Sequence, residues 1–453
     1  MIRDFTGQRV HIIGLGSLGT GQACARVLAA RGATIEMSDS KPEAELAAQI
    51  GSLADLPITF HLGEAAYRDI EGANLVIPSP GVPLEIEPLQ RARAAGVPVV
   101  SEIEVASWLA PCPIIAITGT KGKTTTTTLI GKLIEAAGRP VLVGGNIGTP
   151  LIQQASVATP AHLLVAEVSS FQLEATQSFR PHVGVMLNFF ADHLDRHPDL
   201  AAYWEAKTRI FANQTADDFA VLNGDEAVLS ELALTLAGQK VFFSLRGPAQ
   251  AELKEGLLVV AGQTICPANR VKLRGSHNLY NVLAALAAAS AVGVELAEAA
   301  EVLTSFKGVA NRLEEVAVVE GVTFINDSQA TIPEAVEVAL AAMDAPTVLI
   351  CGGRPKITDF SGLATQAAQL AKAVIVIGEA ADMIAAAAQA AGVSCIERAA
   401  TLPEAVQRAA ALAQPGEMVL MSPACASFDM FKNMAHRGEV FRQAVRALAG
   451  GTQ

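Results

Sequence analysis

The chain has 453 residues, 51% of them hydrophobic and 17% charged, with a formal net charge of −12. That length supplies two to four domains with ample core, and the composition excludes a disordered chain. The acidic balance excludes a general binder of nucleic acid or anionic membrane, so an anionic ligand needs local clusters of Lys, Arg or backbone N–H groups. The six cysteines (Cys24, Cys112, Cys266, Cys351, Cys395, Cys425) are scattered without a C-x-x-C spacing, which predicts reduced core residues rather than a disulfide frame or zinc site. The first residues lack the apolar core of a signal peptide, and no charge-free run reaches membrane-span length, so a cytoplasmic protein without a membrane partner is expected.

In chain order, an apolar run at 9–13 predicts a strand. It is followed by Gly14-Leu-Gly16-Ser17-Leu18-Gly19 and a helix through residue 30. A second strand at 34–37 ends at Asp39, beside Ser40. A G-x-G-x-x-G turn with an acidic residue about 20 positions on is the pattern of dinucleotide-binding units, and any diphosphate-bearing ligand satisfies the same physics. The buried run from 75 stops at a Pro/Gly loop containing Ser79 and Gly81, beside that ligand. A helix at 84–95 and a short strand at 98–102 complete a first domain, 1–104.

The second domain opens on the most informative stretch. An apolar strand at 114–117 meets Gly119-Thr120-Lys121-Gly122-Lys123-Thr124-Thr125, and an amphipathic helix begins at Lys123. Strand, glycine turn and helix in that order aim consecutive backbone N–H groups and a helix N-terminus at one point, where a polyphosphate can sit. Lys123 adds a cation for the terminal phosphates, and the Thr124 hydroxyl suits Mg²⁺. The loop reads G-x-x-G-K-T, with Ile117 where the full phosphate-loop pattern has its first glycine. The strand at 140–143 delivers Gly144-Gly145-Asn146-Ile147-Gly148, and the strand at 162–168 delivers Glu167, Val168 and Ser169. Open α/β sheets place their sites at such strand ends, and a carboxylate there is the natural partner of Thr124 on Mg²⁺. The strand at 183–187 leads into a loop with Asp192, His193, Asp195, Arg196 and His197, then a helix with Tyr203 and Lys207. A strand at 219–223 and a β-rich stretch at 241–274 precede Gly275, after which Asn278 and Asn281 open an Ala-rich helix with a ligand-facing first turn.

The polar connector from Lys307 to Arg312 marks the next boundary, giving domains 105–308 and 309–453. In the third domain, strands at 322–325, 347–351, 373–377 and 418–421 all end in small or polar residues, so one edge of its sheet also faces a ligand. Alternating strands and helices throughout predict an α/β protein of parallel sheets: a Rossmann-like N-terminal domain, a central phosphate-loop ATPase-type domain and a Rossmann-like C-terminal domain.

Seven motifs in one order now carry a resemblance: Thr-Gly-Thr-Lys-Gly-Lys-Thr, Gly-Gly-Asn-Ile-Gly, Glu-Val-Ser-Ser-Phe-Gln-Leu-Glu, Asp-His-Leu-Asp-Arg-His, Ser-His-Asn-Leu-Tyr-Asn, Asn-Asp-Ser-Gln-Ala-Thr and Ser-Pro-Ala-Cys-Ala-Ser-Phe-Asp. The chain resembles the ATP-dependent Mur ligases of peptidoglycan synthesis over nearly its full length. Among them it is most similar to the members that join glutamate to UDP-N-acetylmuramoyl-L-alanine. The resemblance implies an amide ligase acting through an acyl phosphate, with a place in cell-wall construction and hence in cell shape and division. It implies ATP with two Mg²⁺ ions and a monomer that closes on its ligands. Thr124 and Glu167 would hold one Mg²⁺, and His193 a second, joined by Lys207 if carbamylated by CO₂. Lys123, His193 and Lys207 would be catalytic. ATP would meet the 119–125 loop, Asn278, Asn281, Arg312 and Asp327. The UDP substrate would meet Gly16, Ser17, Leu18, Asp39, Ser40, Ser79, Gly81, Asn146 and Ser169. Glutamate would meet Thr331, Lys356, Ser427, Phe428 and Met434.

Four positions depart from the family pattern: Gln329 stands for a usual Lys, Met434 for Phe, Asn311 for a frequent His and Leu18 for a hydroxyl residue. Two of them lie near the expected amino-acid pocket, which raises the expectation of altered selection, such as L-glutamate, beside that of drift with unchanged specificity. Other readings are a related amide ligase of the folylpolyglutamate or cyanophycin type, an NAD(P)-dependent dehydrogenase and a catalytically silent nucleotide-binding relative. The first sits poorly with a glycine-rich domain placed before the ATPase; the second leaves Lys123, Glu167 and His193 without a task.

Overall fold

The computed structural model describes residues 4–15, 19–192, 196–273, 275–355 and 358–450. Its first sheet has four parallel strands, β1 (Arg9–Ile13), β2 (Thr34–Asp39), β3 (Ile58–Leu62) and β4 (Leu75–Pro78), in the order β3-β2-β1-β4. The second sheet has nine: β5 (Ile114–Thr118), β6 (Val141–Gly145), β7 (Leu163–Glu167), β8 (Val183–Met186), β9 (Phe219–Asn223), β10 (Gln239–Ser244), β11 (Ala251–Lys254), β12 (Leu257–Val260) and β13 (Gln263–Pro267). Their order is β13-β12-β11-β10-β9-β8-β5-β7-β6. From β6 to β11 the pairs are parallel, and the last two are antiparallel. The β5 run Ile-Ile-Ala-Ile-Thr is wholly buried between β7 and β8, as expected of a strand covered on both faces. The third sheet comprises β14 (Glu314–Val319), β15 (Val322–Asn326), β16 (Thr347–Gly352), β17 (Ala371–Ile377), β18 (Ile396–Arg398) and β19 (Met418–Met421), ordered β14-β15-β19-β16-β17-β18. All its pairs are parallel except β14 with β15.

The expected strand at 98–102 reduces to one bridge, Val99 to Val76, because Pro98 removes a ladder donor and the Glu102–Leu109 helix begins at once. Strands β3, β14 and β18 were not anticipated. The first follows Pro57 and is only half-buried, the second carries two glutamates, and the third is three residues long, so none shows a clean apolar signature.

The chain divides into two compact units: one of residues Met1–Arg270 with His277–Thr304, the other of Val271–Ser276 with Ser305–Gln453. In the first, one hydrophobic core runs from Phe5 to Ala233 and joins both sheets. The Glu102–Leu109 helix crosses it and carries two buried glutamates of opposite character. The Glu102 carboxylate accepts the Ile152 N–H at 2.6 Å but leaves Oε2 without a partner, and burial pushes its pKa up to about 7. The Glu104 carboxylate, wholly buried, accepts the backbone N–H groups of Gln177 (2.9 Å), Ser178 (2.8 Å) and Phe179 (2.9 Å). It also accepts the Trp108 indole N–H at 2.9 Å and the Ser178 hydroxyl. No described helix is long and apolar enough to cross a membrane.

Candidate active site

The strand–turn–helix at β5 forms as its sequence demands. Gly119 (φ 144°) and Gly122 (φ 88°) both sit where a side chain is strained, and Gly122 caps the Lys123–Ala136 helix in the left-handed region. A Cβ at Gly122 would also overlap Asn281 Oδ1, so this glycine admits the polar first turn of the Ser276–Ala291 helix against the turn. The Asn281 amide in turn donates to Asn278 Oδ1 at 2.9 Å, and both side chains are buried.

The loop after β8 clasps the other side of the turn. Lys121 N–H donates to Asn188 Oδ1 (2.9 Å), Asn188 Nδ2 returns a bond to Lys121 O (3.1 Å), and the Thr120 hydroxyl donates to Phe190 O (3.2 Å). Lys121 Nζ pairs with Asp192 at 3.2 Å. Two further lysine side chains fold back onto the turn. Lys123 Nζ donates to Gly119 O and Thr120 O, each at 3.0 Å, and Lys207 Nζ donates to Gly119 O at 2.7 Å while lying 4.7 Å over the Tyr203 ring. Lys207 is 1% exposed. Burial, reinforced by the Lys123 charge, lowers its pKa to about 6. A sequence reading alone makes Lys207 a solvated helix lysine; the fold makes it a buried amine, neutral at ordinary pH.

At the end of β7, Glu167 is 2% exposed. Asn146 Nδ2 donates to its Oε1 at 2.8 Å, and the Asn146 N–H bonds the Glu167 carbonyl at 2.9 Å. Glu167 Oε2 is buried without a hydrogen-bond partner among the described residues. A buried carboxylate oxygen left bare on a strand adjacent to β5 is unfavourable unless something cationic meets it. That donor set, a carboxylate oxygen with the Thr124 hydroxyl, suits a hard cation that completes its shell from phosphates and water. Among the described residues no three His, Cys, Asp or Glu side chains gather as a metal cage. His193 lies outside the described residues.

The first sheet brings a second set to its strand ends. Asp39 spends both oxygens on backbone, accepting Leu15 N–H and Lys41 N–H at 3.0 Å each, and so braces the glycine turn. The Ser79 hydroxyl donates to Gly14 O at 2.8 Å, while Ser40 and Gly81 are exposed. Gly16, Ser17 and Leu18 lie outside the described residues. Arg196 links this edge to the central sheet through a 3.3 Å bond to Val82 O. Ser169 caps a short helix, its hydroxyl accepting Gln172 N–H at 3.3 Å.

Sequence reasoning passed over the group beside it. His197, 2% exposed, has Nε2 2.9 Å from Ser170 Oγ and Nδ1 3.1 Å from Glu174, and stacks on Phe171. The dense Asp/His/Arg loop was the only signal, and it did not separate His197 from its neighbours.

In the second unit, Arg312 Nε donates to Gln329 Oε1 at 3.1 Å, a contact that a lysine at 329 would turn into a clash of cations. Asn311 adopts φ 65°, and its Oδ1 accepts from Asn326 (3.0 Å) and Arg442 (3.3 Å). Asp327 accepts the Ser422 hydroxyl at 2.8 Å, and burial raises its pKa to about 7. Ser427 is buried, Thr331 half-buried, Phe428 64% exposed and Met434 39% exposed. Lys356 lies outside the described residues. Arg437, absent from the sequence expectations, is wholly buried at this edge.

Comparison with known proteins bears on these two sets of residues. Three family models match in series: "Mur ligase MurD-like, N-terminal domain" at residues 8–101, "Mur ligase middle domain" at 117–289 and "Mur ligase, glutamate ligase domain" at 311–425. The UDP-N-acetylmuramoylalanine–D-glutamate ligase of Pelotomaculum thermopropionicum is 44% identical over 461 residues, covering 100% of each chain. That of Geotalea daltonii is 42% identical over 99% of each. Among solved structures, the UDP-N-acetylmuramate–alanine ligase MurC of Thermotoga maritima matches with TM-score 0.62 at 20% identity over 97% of this chain and 99% of that one. MurF ligase of the same organism, in complex with ADP, matches at 0.58 and 18% over 100% and 98%. The two solved structures share the fold.

Proposed function

The chain belongs to the Mur ligase family, and from that premise we propose that it joins glutamate to UDP-N-acetylmuramoyl-L-alanine at the expense of ATP, in peptidoglycan precursor synthesis. The observation that carries this reading is the convergence of Lys123, Lys207 and Asn281 on the Gly119–Gly122 turn. The acceptor carboxylate attacks the γ-phosphate, giving an acyl phosphate and ADP; the glutamate amine then attacks the acyl carbon, and phosphate leaves with the C–O bond. A free carboxylate is too poor an electrophile to take the amine directly. Phosphoryl transfer asks the protein for positioning and charge neutralisation rather than covalent help.

In this mechanism the backbone N–H groups from Gly122 into the first turn of the helix cradle the phosphates, those of Thr120 and Lys121 being held by Asn188, and Lys123 neutralises the charge that develops on them. Asn278 and Asn281 would hold the nucleotide from the neighbouring helix, and the family resemblance adds Arg312 and Asp327 as nucleotide contacts. Thr124 and Glu167 would hold Mg²⁺, which supplies charge neutralisation on the triphosphate; His193 would serve a second ion. Only a neutral amine adds to CO₂, and the depressed pKa of Lys207 supports its conversion to a carbamate, an anionic oxygen donor. Asn146 and Ser169 would orient the muramoyl group, and the glycine turn before the Thr20–Ala29 helix, with Asp39, Ser40, Ser79 and Gly81, the uridine diphosphate. Thr331, Lys356, Ser427, Phe428 and Met434 would bind glutamate. We take the protein as a cytoplasmic monomer of three domains with boundaries near 104 and 308.

Phosphate release with ATP, Mg²⁺, UDP-N-acetylmuramoyl-L-alanine and each glutamate enantiomer tests this reading. Turnover requiring both substrates and strictly D-glutamate is expected, in keeping with the relatives' names; release with L-glutamate would instead tie Gln329 and Met434 to altered selection. No release with either enantiomer would sink the assignment.

In CO₂-free buffer, where Lys207 stays an unmodified amine, it also carries a stability prediction. Between about pH 6, its folded value, and 10.5, the ordinary lysine value, the unfolded chain holds a proton that the folded chain has lost. Stability therefore rises with pH through that window, and at neutral pH the residue costs stability. Lys207→Met is expected to raise Tm near pH 7, with the gain shrinking toward pH 10, while turnover is lost. Thermal melts across pH check the sign, and a gain that grew with pH would contradict it.

A further inference from the structure

Arg437 is the largest wholly buried side chain among the described residues. It projects from the Met434–Gly450 helix into the ends of three adjacent strands, β15, β19 and β16. Its Nε donates to Ser328 Oγ at 3.0 Å, one terminal nitrogen to Ser328 O at 2.9 Å and the other to Cys425 O at 3.0 Å. A Cβ on Gly353 would come within 3.3 Å of the same guanidinium. The loops it ties together are those that carry Thr331 (after Ser328) and Ser427 (after Cys425).

All three acceptors are neutral. On the same helix, Arg442 pairs with Glu314 and Glu439 at 2.9 Å each, whereas Arg437 meets no carboxylate at ion-pair distance among the described residues. Asp429 and the Cys425 thiol are the titratable groups whose field reaches it; Asp429 spends Oδ2 on the Glu379 N–H at 3.1 Å, and its buried Oδ1 has no hydrogen-bond partner among the described residues. Burial lowers the guanidinium pKa to about 10, so it remains a cation at neutral pH. A buried charge with no partner of its own is strongly unfavourable. A hydrocarbon or amide would tie the loops without that cost, so the charge itself needs a reason.

We propose that Arg437 is a positioning residue for the amino-acid substrate: it fixes these two loops and supplies the positive field that the carboxylates of an incoming dicarboxylic amino acid balance. This rests on the reading that the second unit binds glutamate.

The test uses the full-length protein and phosphate release at saturating UDP-N-acetylmuramoyl-L-alanine, with KM measured separately for glutamate and ATP. R437Q keeps hydrogen-bonding capacity and removes the charge; R437K keeps the charge and loses the planar fork. R437Q is expected to raise KM for glutamate by roughly tenfold or more, and R437K by no more than about threefold, with KM for ATP held within about twofold in both. A merely structural role would disturb both KM values together, or harm R437K as much as R437Q, and either result overturns the proposal, as does an unchanged glutamate KM in R437Q. Should R437Q fail to fold, R437K decides: a glutamate KM within about threefold supports the charge role, and a larger rise overturns it. Wild-type protein that releases no phosphate on adding glutamate would instead bring down the functional reading beneath the proposal.

Discussion

Lys123→Ala is expected to lower kcat by roughly 10²–10³-fold or more, about 3–4 kcal/mol of transition-state stabilisation, without unfolding the protein. The half-buried ammonium is held by Gly119 O and Thr120 O, so it is already placed at the turn before any nucleotide arrives. It thus needs no reorganisation when charge develops on the transferring phosphoryl group. Lys207, bonded to the same Gly119 carbonyl, does not replace it, because burial leaves that amine neutral at ordinary pH. The helix that follows is capped by the left-handed Gly122 and packed through Leu129, Ile130 and Leu133, none of which depends on the Lys123 side chain. Circular dichroism and Tm near those of the wild type should accompany the kinetic loss. Retained turnover would mean that the triphosphate lies elsewhere.

The second large effect is on stability. Glu104→Ala is expected to cost about 3–5 kcal/mol, because it removes at one stroke the shared acceptor of three backbone N–H groups, the Phe179 one fully buried, and leaves the Trp108 indole N–H only Ser178 Oγ. A fall in Tm on the order of 10 °C follows for a protein of this size. Glu104→Gln should lose less, since it keeps the shape and one acceptor oxygen but turns an N–H donor toward other donors. Glu102→Gln, two residues away, is expected to be nearly silent, because that carboxyl sits close to half-protonated at neutral pH and uses one oxygen. Denaturant or thermal melts of the three variants check the order, and equal losses at 102 and 104 would refute the distinction. The consequence reaches the site: Glu104 fastens the loop before β8, and β8 lies beside β5 and its phosphate turn.

Some of this was legible in short windows of sequence. The strand–glycine–helix unit at 114–136 is a local object: apolar run, two glycines at positive φ and a lysine opening the helix all fall within a few residues, so pattern and chemistry coincide. The strand ends that present Glu167, Asn188 and Asp327 were readable for the same reason, because buried parallel strands are apolar runs and polar residues close them. Half-buried β3 and the edge strands β14 and β18 lack that contrast and were passed over.

By itself, then, the sequence determined that the chain is α/β, where its phosphate turn lies and which polar residues close its strands, because each is written in neighbouring residues. Only the tertiary structure decided which of those residues carry altered chemistry. Lys207 becomes a neutral amine because it is buried against a turn 88 residues away, Glu104 becomes a fully hydrogen-bonded carboxyl group through a loop more than 70 residues on, and Arg437 becomes a buried cation beside Ser328, 109 residues back. Desolvation and charge pairing are properties of what packs around a group, and no local pattern encodes that packing.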